Sequence, residues 1–108
     1  MRYRPTFAPT ADQSFGTLPA RIQREFDRAF EPLTEDPTGS RAGLDAHQLY
    51  GYRNVWTLRI RLFRGVYVVD GHELVWIVFG PRETVYAQLH ALLPPDRRYV
   101  SRDRLIRR

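Results

Sequence analysis

Leu18, Ile22, Phe26, Phe30 and Leu33 recur at three- and four-residue intervals, while Arg21, Arg24, Glu25, Arg28 and Glu31 fill the positions between them. This spacing predicts an amphipathic helix laid on a sheet, kinked or ended near Glu31 by Pro32. Ahead of it, residues 2–8 read as a short strand with Tyr3 and Phe7 as large apolar members and Pro5 confining it to an edge, and residues 10–16 read as a helical turn. Residues 35–46, with two Gly, one Pro and no periodicity, predict a mobile surface loop. The period then changes to that of strands: residues 55–63, 65–69 and 74–79 are three candidates, the last two separated by the hairpin pair Asp70-Gly71. "LVWIVF" has no polar member and reads as a strand covered on both faces. Gly80-Pro81 opens a helix with Val85, Leu89 and Leu92 on one face, and Pro94-Pro95 stops it. Helices, then a small, twisted, mostly antiparallel sheet, then a C-terminal helix make an α+β fold.

The stretch "WTLRIRLFRGVYVV" threads arginines through its most strand-like part. Alternation resolves this: Trp56, Leu58, Ile60 and Leu62 point to one side, and Thr57, Arg59, Arg61 and Phe63 to the other. The arginines can therefore line an open sheet face while the apolar set meets the Leu18–Phe30 helix. That face is either solvated and ion-paired to Asp70, Glu73 or Glu83, or a surface for an anion.

Composition narrows the picture. At 108 residues the chain suits one domain, and the absence of cysteine excludes disulfides, thiolate metal sites and thiol nucleophiles. Residues 1–13 have no signal-peptide core and no apolar run is long enough to span a bilayer, which points to a soluble cytoplasmic protein. All seventeen positive side chains are arginine, from codon usage or from selection for bidentate anion binding. Residues 1–54 balance seven Arg against seven acids, whereas residues 55–108 hold ten Arg and five acids, so the +5 charge lies in the second half. Six of those arginines belong to the tail 97–108, read as a solvated basic end. Such charge calls for an anionic partner without choosing among RNA, DNA and acidic protein. His47, His72 and His90 have no ligand spacing, and His47 reads as a loop residue. Tyr67, Trp56 and Trp76 read as packing.

The order of residues from Leu49 to Tyr86 resembles the RelE/ParE superfamily of bacterial toxins. The matching positions are Leu49 and Gly51, Trp56, Leu58-Arg59-Ile60, Phe63-Arg64, Tyr67, the Asp70-Gly71 turn, Gly80 and Arg82, and Val85-Tyr86. The helix beginning "LPARIQREF" and the following "EDP" extend the likeness over residues 15–90. Two features depart from it. Arg61-Leu62 stands where members usually have Gly-Asp, with Gly65 as the alternative turn, and the tail after Pro95 falls outside. Residues 1–95 are thus expected to form a RelE-like toxin domain, with 96–108 as a basic tail of the same domain.

The resemblance implies one of two activities. RelE-like members cut mRNA on the ribosome without a metal; ParE-like members poison DNA gyrase and are not nucleases. A non-catalytic basic interaction domain is a third reading. Arg82 and Tyr86, four apart, share a helix face, as the late Arg and Tyr of RelE-like nucleases do. Cleavage through the RNA 2′-OH needs a proton acceptor, neutralisation of charge on the pentavalent phosphorus, and help for the departing 5′-oxygen. The resemblance favours Arg64 and Arg59 on the scissile phosphate, Arg82 near the leaving oxygen or the phosphate, Tyr86 as proton acceptor and Arg61 as a substrate-binding residue. A phenol ordinarily titrates near ~10, and surrounding guanidinium groups favour its charged form. No cofactor is implied. The implied partners are mRNA on the ribosome and a cognate antitoxin, with no membrane.

Overall fold

The computed structural model describes residues 2–93, 95 and 98–106. Its elements are β1 (Arg4–Phe7), α1 (Pro9–Phe15), α2 (Ala20–Glu35), β2 (Ala46–Gln48), β3 (Val55–Ile60), β4 (Phe63–Asp70), β5 (Glu73–Pro81), α3 (Arg82–Leu92) and α4 (Arg102–Leu105). Among the described residues the five strands form one mixed sheet in the order β1-β5-β4-β3-β2, parallel between β1 and β5 and antiparallel elsewhere.

Two apolar layers follow from strand alternation. Leu58, Tyr67, Leu74, Trp76 and Phe79 face α2, where Ile22, Phe26, Ala29 and Leu33 meet them. Val55, Val66, Val68, Val75 and Ile77 face the other way, toward Val85 and Leu89 of α3. Val66 pairs with Val78 and Tyr67 with Trp76, so a bulge leaves Ile77 without a partner in β5. The extra residue lets Ile77 and Val78 join the same layer and returns Phe79 to the layer of Trp76. A strand that is apolar throughout is thereby covered on both faces, as its composition predicts.

The helix is longer than Pro32 suggests. α2 continues through that residue to Glu35, since Leu33 is fully buried and the Asp36 amide still donates to the Pro32 carbonyl at 3.0 Å. Packing outweighs the single hydrogen bond that proline removes.

The β3–β4 turn also differs from its alternative placement. Ile60 pairs with Phe63, so Arg61-Leu62 is a two-residue hairpin loop, and Arg61 adopts φ 55°, the positive φ that primed hairpin turns take at their first central position. Gly65 lies within β4 instead. A Cβ there would stand 2.9 Å from Phe26 Cε1 and from Phe79 Cδ1 and Cε1. We expect Gly65→Ala to destabilise the fold by about 1–3 kcal/mol through overpacking, read as a lower urea midpoint with an unchanged slope.

Residues 35–46 are tied down rather than left as a free loop. The Asp36 carboxylate accepts hydrogen bonds from the Thr38 hydroxyl and amide, Ser40 and the Arg41 amide, and these hold its carboxyl down at about 2. The buried Tyr67 hydroxyl donates to the Pro37 carbonyl, and its burial pushes that phenol up.

The described part of the tail is docked as well, contrary to a solvated end; Pro94, Asp96, Arg97, Arg107 and Arg108 lie outside the described residues. Val100 is fully buried, and Asn54 brackets it, accepting from its amide at 2.9 Å and donating to its carbonyl at 2.8 Å. Asp70 accepts from the Arg102 amide at 2.8 Å and the Tyr99 hydroxyl at 2.7 Å, and the Arg102 amide is the larger cause of a carboxyl held below its ordinary value. A lowered native value means stability that is complete above the unfolded value near ~3.9 and is lost as pH falls through the native one. The urea midpoint should therefore fall more for the parent chain than for Asp70→Asn between about pH 6 and about pH 3.

Candidate active site

Alternation in β3 and β4 sends Thr57, Arg59 and Arg64 to the sheet face that α3 covers only in part. Arg59 and Arg64 are direct cross-strand partners, so two guanidinium groups start from facing positions on one side of the sheet. Like charges placed this way destabilise a sheet unless something neutralises them. Pro81 caps α3, which puts Arg82 in its first turn and Tyr86 one turn on. The Arg82 guanidinium lies over the Tyr86 ring, 5.7 Å from its centroid.

These side chains converge. One cavity of about 510 Å³ is lined by Arg59, Arg64, Arg82 and Tyr86 together with Asp45, His47, Gln48, Leu49, Tyr50 and Thr57. Among the described residues no carboxylate lies within 4.0 Å of the Arg64 or Arg82 guanidinium, and Arg59 reaches Asp45 only at 4.0 Å. The cavity thus holds three cations with at most one loosely placed counter-charge. Asp70 and Glu73 are engaged by the tail, and neither pairs with these arginines.

Arg61 is placed differently. At the turn its Nε donates to Glu25 of α2 at 2.9 Å, a bond that is the main cause of a lowered Glu25 carboxyl. It lines a neighbouring crevice of about 450 Å³ with Arg59, Leu62, Arg64, Pro81, Arg82 and Glu83. That crevice extends the cationic track past the hairpin.

Asp45 and His47 are the site residues that hydropathy reading misses, because β2 has no apolar alternation to announce it. His47 sits opposite Thr57 at the open edge, and its Nε2 is in hydrogen-bonding contact with Asp45 Oδ1. The available signal was their i, i+2 spacing, which sends both to one face of any extended segment. Among the described residues no cluster of three His, Cys, Asp or Glu side chains could hold a metal, and no helix is long and apolar enough to cross a membrane.

No protein-family model and no curated protein matches this chain. Solved structures do. A double mutant of the E. coli toxin RelE in the free state superposes with a TM-score of 0.69 at 20% identity, over 86% of this chain and 100% of the other. RelE in the RelB–RelE antitoxin–toxin complex of Methanococcus jannaschii gives 0.66 at 20% identity, over 76% and 95%. A toxin–antitoxin complex from Mycobacterium tuberculosis gives 0.60 at 24% identity, over 76% and 100%. At these identities the likeness is one of fold.

Proposed function

Taking the RelE fold as premise, we propose that this chain is the toxin of a type II toxin–antitoxin pair, a ribosome-dependent mRNA endoribonuclease that works without a metal. The observation that supports it most is the convergence of Arg59, Arg64, Arg82 and Tyr86 on one open cavity, from two strands and a helix that are separate in sequence. A cross-strand arginine pair with one loosely placed counter-charge is a poor device for stability and a good one for an anion, since a phosphate between the two removes their repulsion.

The chemistry then follows from position. Arg59 and Arg64 hold the non-bridging oxygens of the scissile phosphate and stabilise the charge that grows on the pentavalent phosphorus. Arg82, held over Tyr86, adds a third cation from the helix side. Tyr86, at the cavity wall and partly exposed, takes the 2′-hydroxyl proton. Arg61 meets the strand beyond the cut along the adjoining crevice. An antitoxin that lays acidic or apolar side chains over this face would silence it by occupation. The M. jannaschii structure shows a RelE bound to its RelB antitoxin, which supports a partner of that kind here.

Transcript 5′ ends mapped after induction, with ribosomes active and with initiation blocked, test the reading. New ends that appear within coding regions only during translation are the expected result. Intact transcripts with arrested DNA replication would replace it by gyrase poisoning.

A further inference from the structure

Cleavage of an RNA phosphodiester needs a proton delivered to the 5′-oxygen as well as one removed from the 2′-oxygen. The arginines stabilise charge but do not give up protons, because a guanidinium stays protonated in proteins. With Tyr86 taking the 2′-proton, the donor must be another titratable group of the same cavity, and these are Asp45, His47 and Tyr50. Tyr50 stands at the rim, 98% exposed. Asp45 already carries a hydrogen bond from His47 on one oxygen and faces Arg59 on the other. The imidazole is the remaining group, and it is a proton donor of the right kind near neutral pH.

Position agrees with chemistry. β2 is the edge strand beside β3, whereas α3 follows β5 and packs over β5 and β4. Arg59 and Arg64 therefore form a floor with His47 on the β2 wall and Tyr86 on the α3 wall. In-line displacement at phosphorus asks for an acid and a base that reach the phosphate separately, and these two groups enter the cavity from different elements, an edge strand and a helix. The charged groups around the imidazole are the Asp45 carboxylate, in contact with Nε2, and the Arg59 and Arg64 guanidinium groups of the same cavity.

We infer that His47, oriented by Asp45, is the general acid that protonates the leaving 5′-oxygen; this rests on the nuclease reading of the same cavity. The 2′-oxygen attacks phosphorus as Tyr86 accepts its proton, and the bond from phosphorus to the 5′-oxygen breaks. His47 Nε2 keeps its contact with Asp45, and Nδ1–H gives the proton to the departing oxygen. The products are a 2′,3′-cyclic phosphate and a 5′-hydroxyl, and the site resets when Tyr86 releases the proton it accepted and His47 takes one up, with no net proton consumed. Asp45 is a positioning residue in this scheme.

The test compares two mRNAs on programmed ribosomes, one with the native 5′-oxygen at the cut and one with bridging sulfur there. A thiolate leaves without a proton. His47→Gln is expected to slow cleavage of the native mRNA by about 100-fold or more and to leave the sulfur-bridged one within a few-fold of the parent chain. Asp45→Asn should show a smaller loss with the same rescue. Equal losses on both mRNAs, or none on either, overturn the assignment while leaving the nuclease intact. A parent chain that cuts neither mRNA overturns the nuclease reading and the acid with it. His47 is exposed near the sheet edge, so an unchanged melting temperature of the variant is the expected control.

Discussion

Tyr86→Phe is expected to lower translation-dependent mRNA cleavage by about 10²–10⁴-fold with ribosome and RNA binding kept. The substitution removes one oxygen and nothing else that the fold uses. The ring stays where it is, so the Arg82 guanidinium retains its aromatic face. Val85 and Leu89, which hold α3 on the sheet, are untouched. A loss of rate without a loss of binding or stability therefore isolates the phenol oxygen as a reacting group. Tyr86→Ala would remove the ring as well and should weaken binding along with rate, which separates the chemical role from the packing one. A phenylalanine variant that cuts within a few-fold of the parent chain would show that the proton goes elsewhere, and the tyrosine would then be a cover for the cavity edge.

The sequence makes the sheet legible where one residue type dominates each face. "LVWIVF" announces a doubly covered strand, and the alternation of Trp56, Leu58 and Ile60 with Thr57 and Arg59 separates the α2 face from the open one. The alternation misleads at Arg61 and Leu62, because periodicity continues on paper through a turn that the backbone takes at φ 55°. Only the pairing of Ile60 with Phe63 reveals it, and the same register sets Gly65 against two phenylalanine rings remote in sequence. Local patterns do not encode such a long-range constraint. The same holds for the tail. Its charge predicts solvation, whereas Asn54 and Asp70, both remote in sequence, supply the backbone partners that dock it. Arg59, Arg64, Arg82 and Tyr86, which the resemblance singles out, lie on regular elements whose faces can be counted, and all four line one cavity. Asp45 and His47 were not legible, since a three-residue edge strand carries too little periodicity to stand out from a loop.

Arg64→Ala should cost cleavage about 10²–10³-fold and yet leave the protein as stable as before, or slightly more so. The two halves of this expectation have one cause. Arg64 faces Arg59 across the β3–β4 ladder with no carboxylate within 4.0 Å among the described residues, so removing it relieves a like-charge pair worth about 0.2–1 kcal/mol. Among the described residues its guanidinium donates to the carbonyl of its own neighbour Phe63, at 3.2 Å, which adds little to hold the sheet together. Val66 and Val68, next along the same face, keep the packing against α3. A site that stores repulsion should also respond to an anion, because any ligand that binds only the folded chain raises its melting temperature by mass action. Inorganic phosphate should therefore stabilise the parent chain more than Arg64→Ala, with the difference shrinking as added chloride screens the cavity. Reduced stability of the variant in phosphate-free buffer would mean that Arg64 is a structural cation. Equal responses of both chains to phosphate would mean that the anion sits elsewhere, and the catalytic assignment of the cross-strand pair would fall with either result.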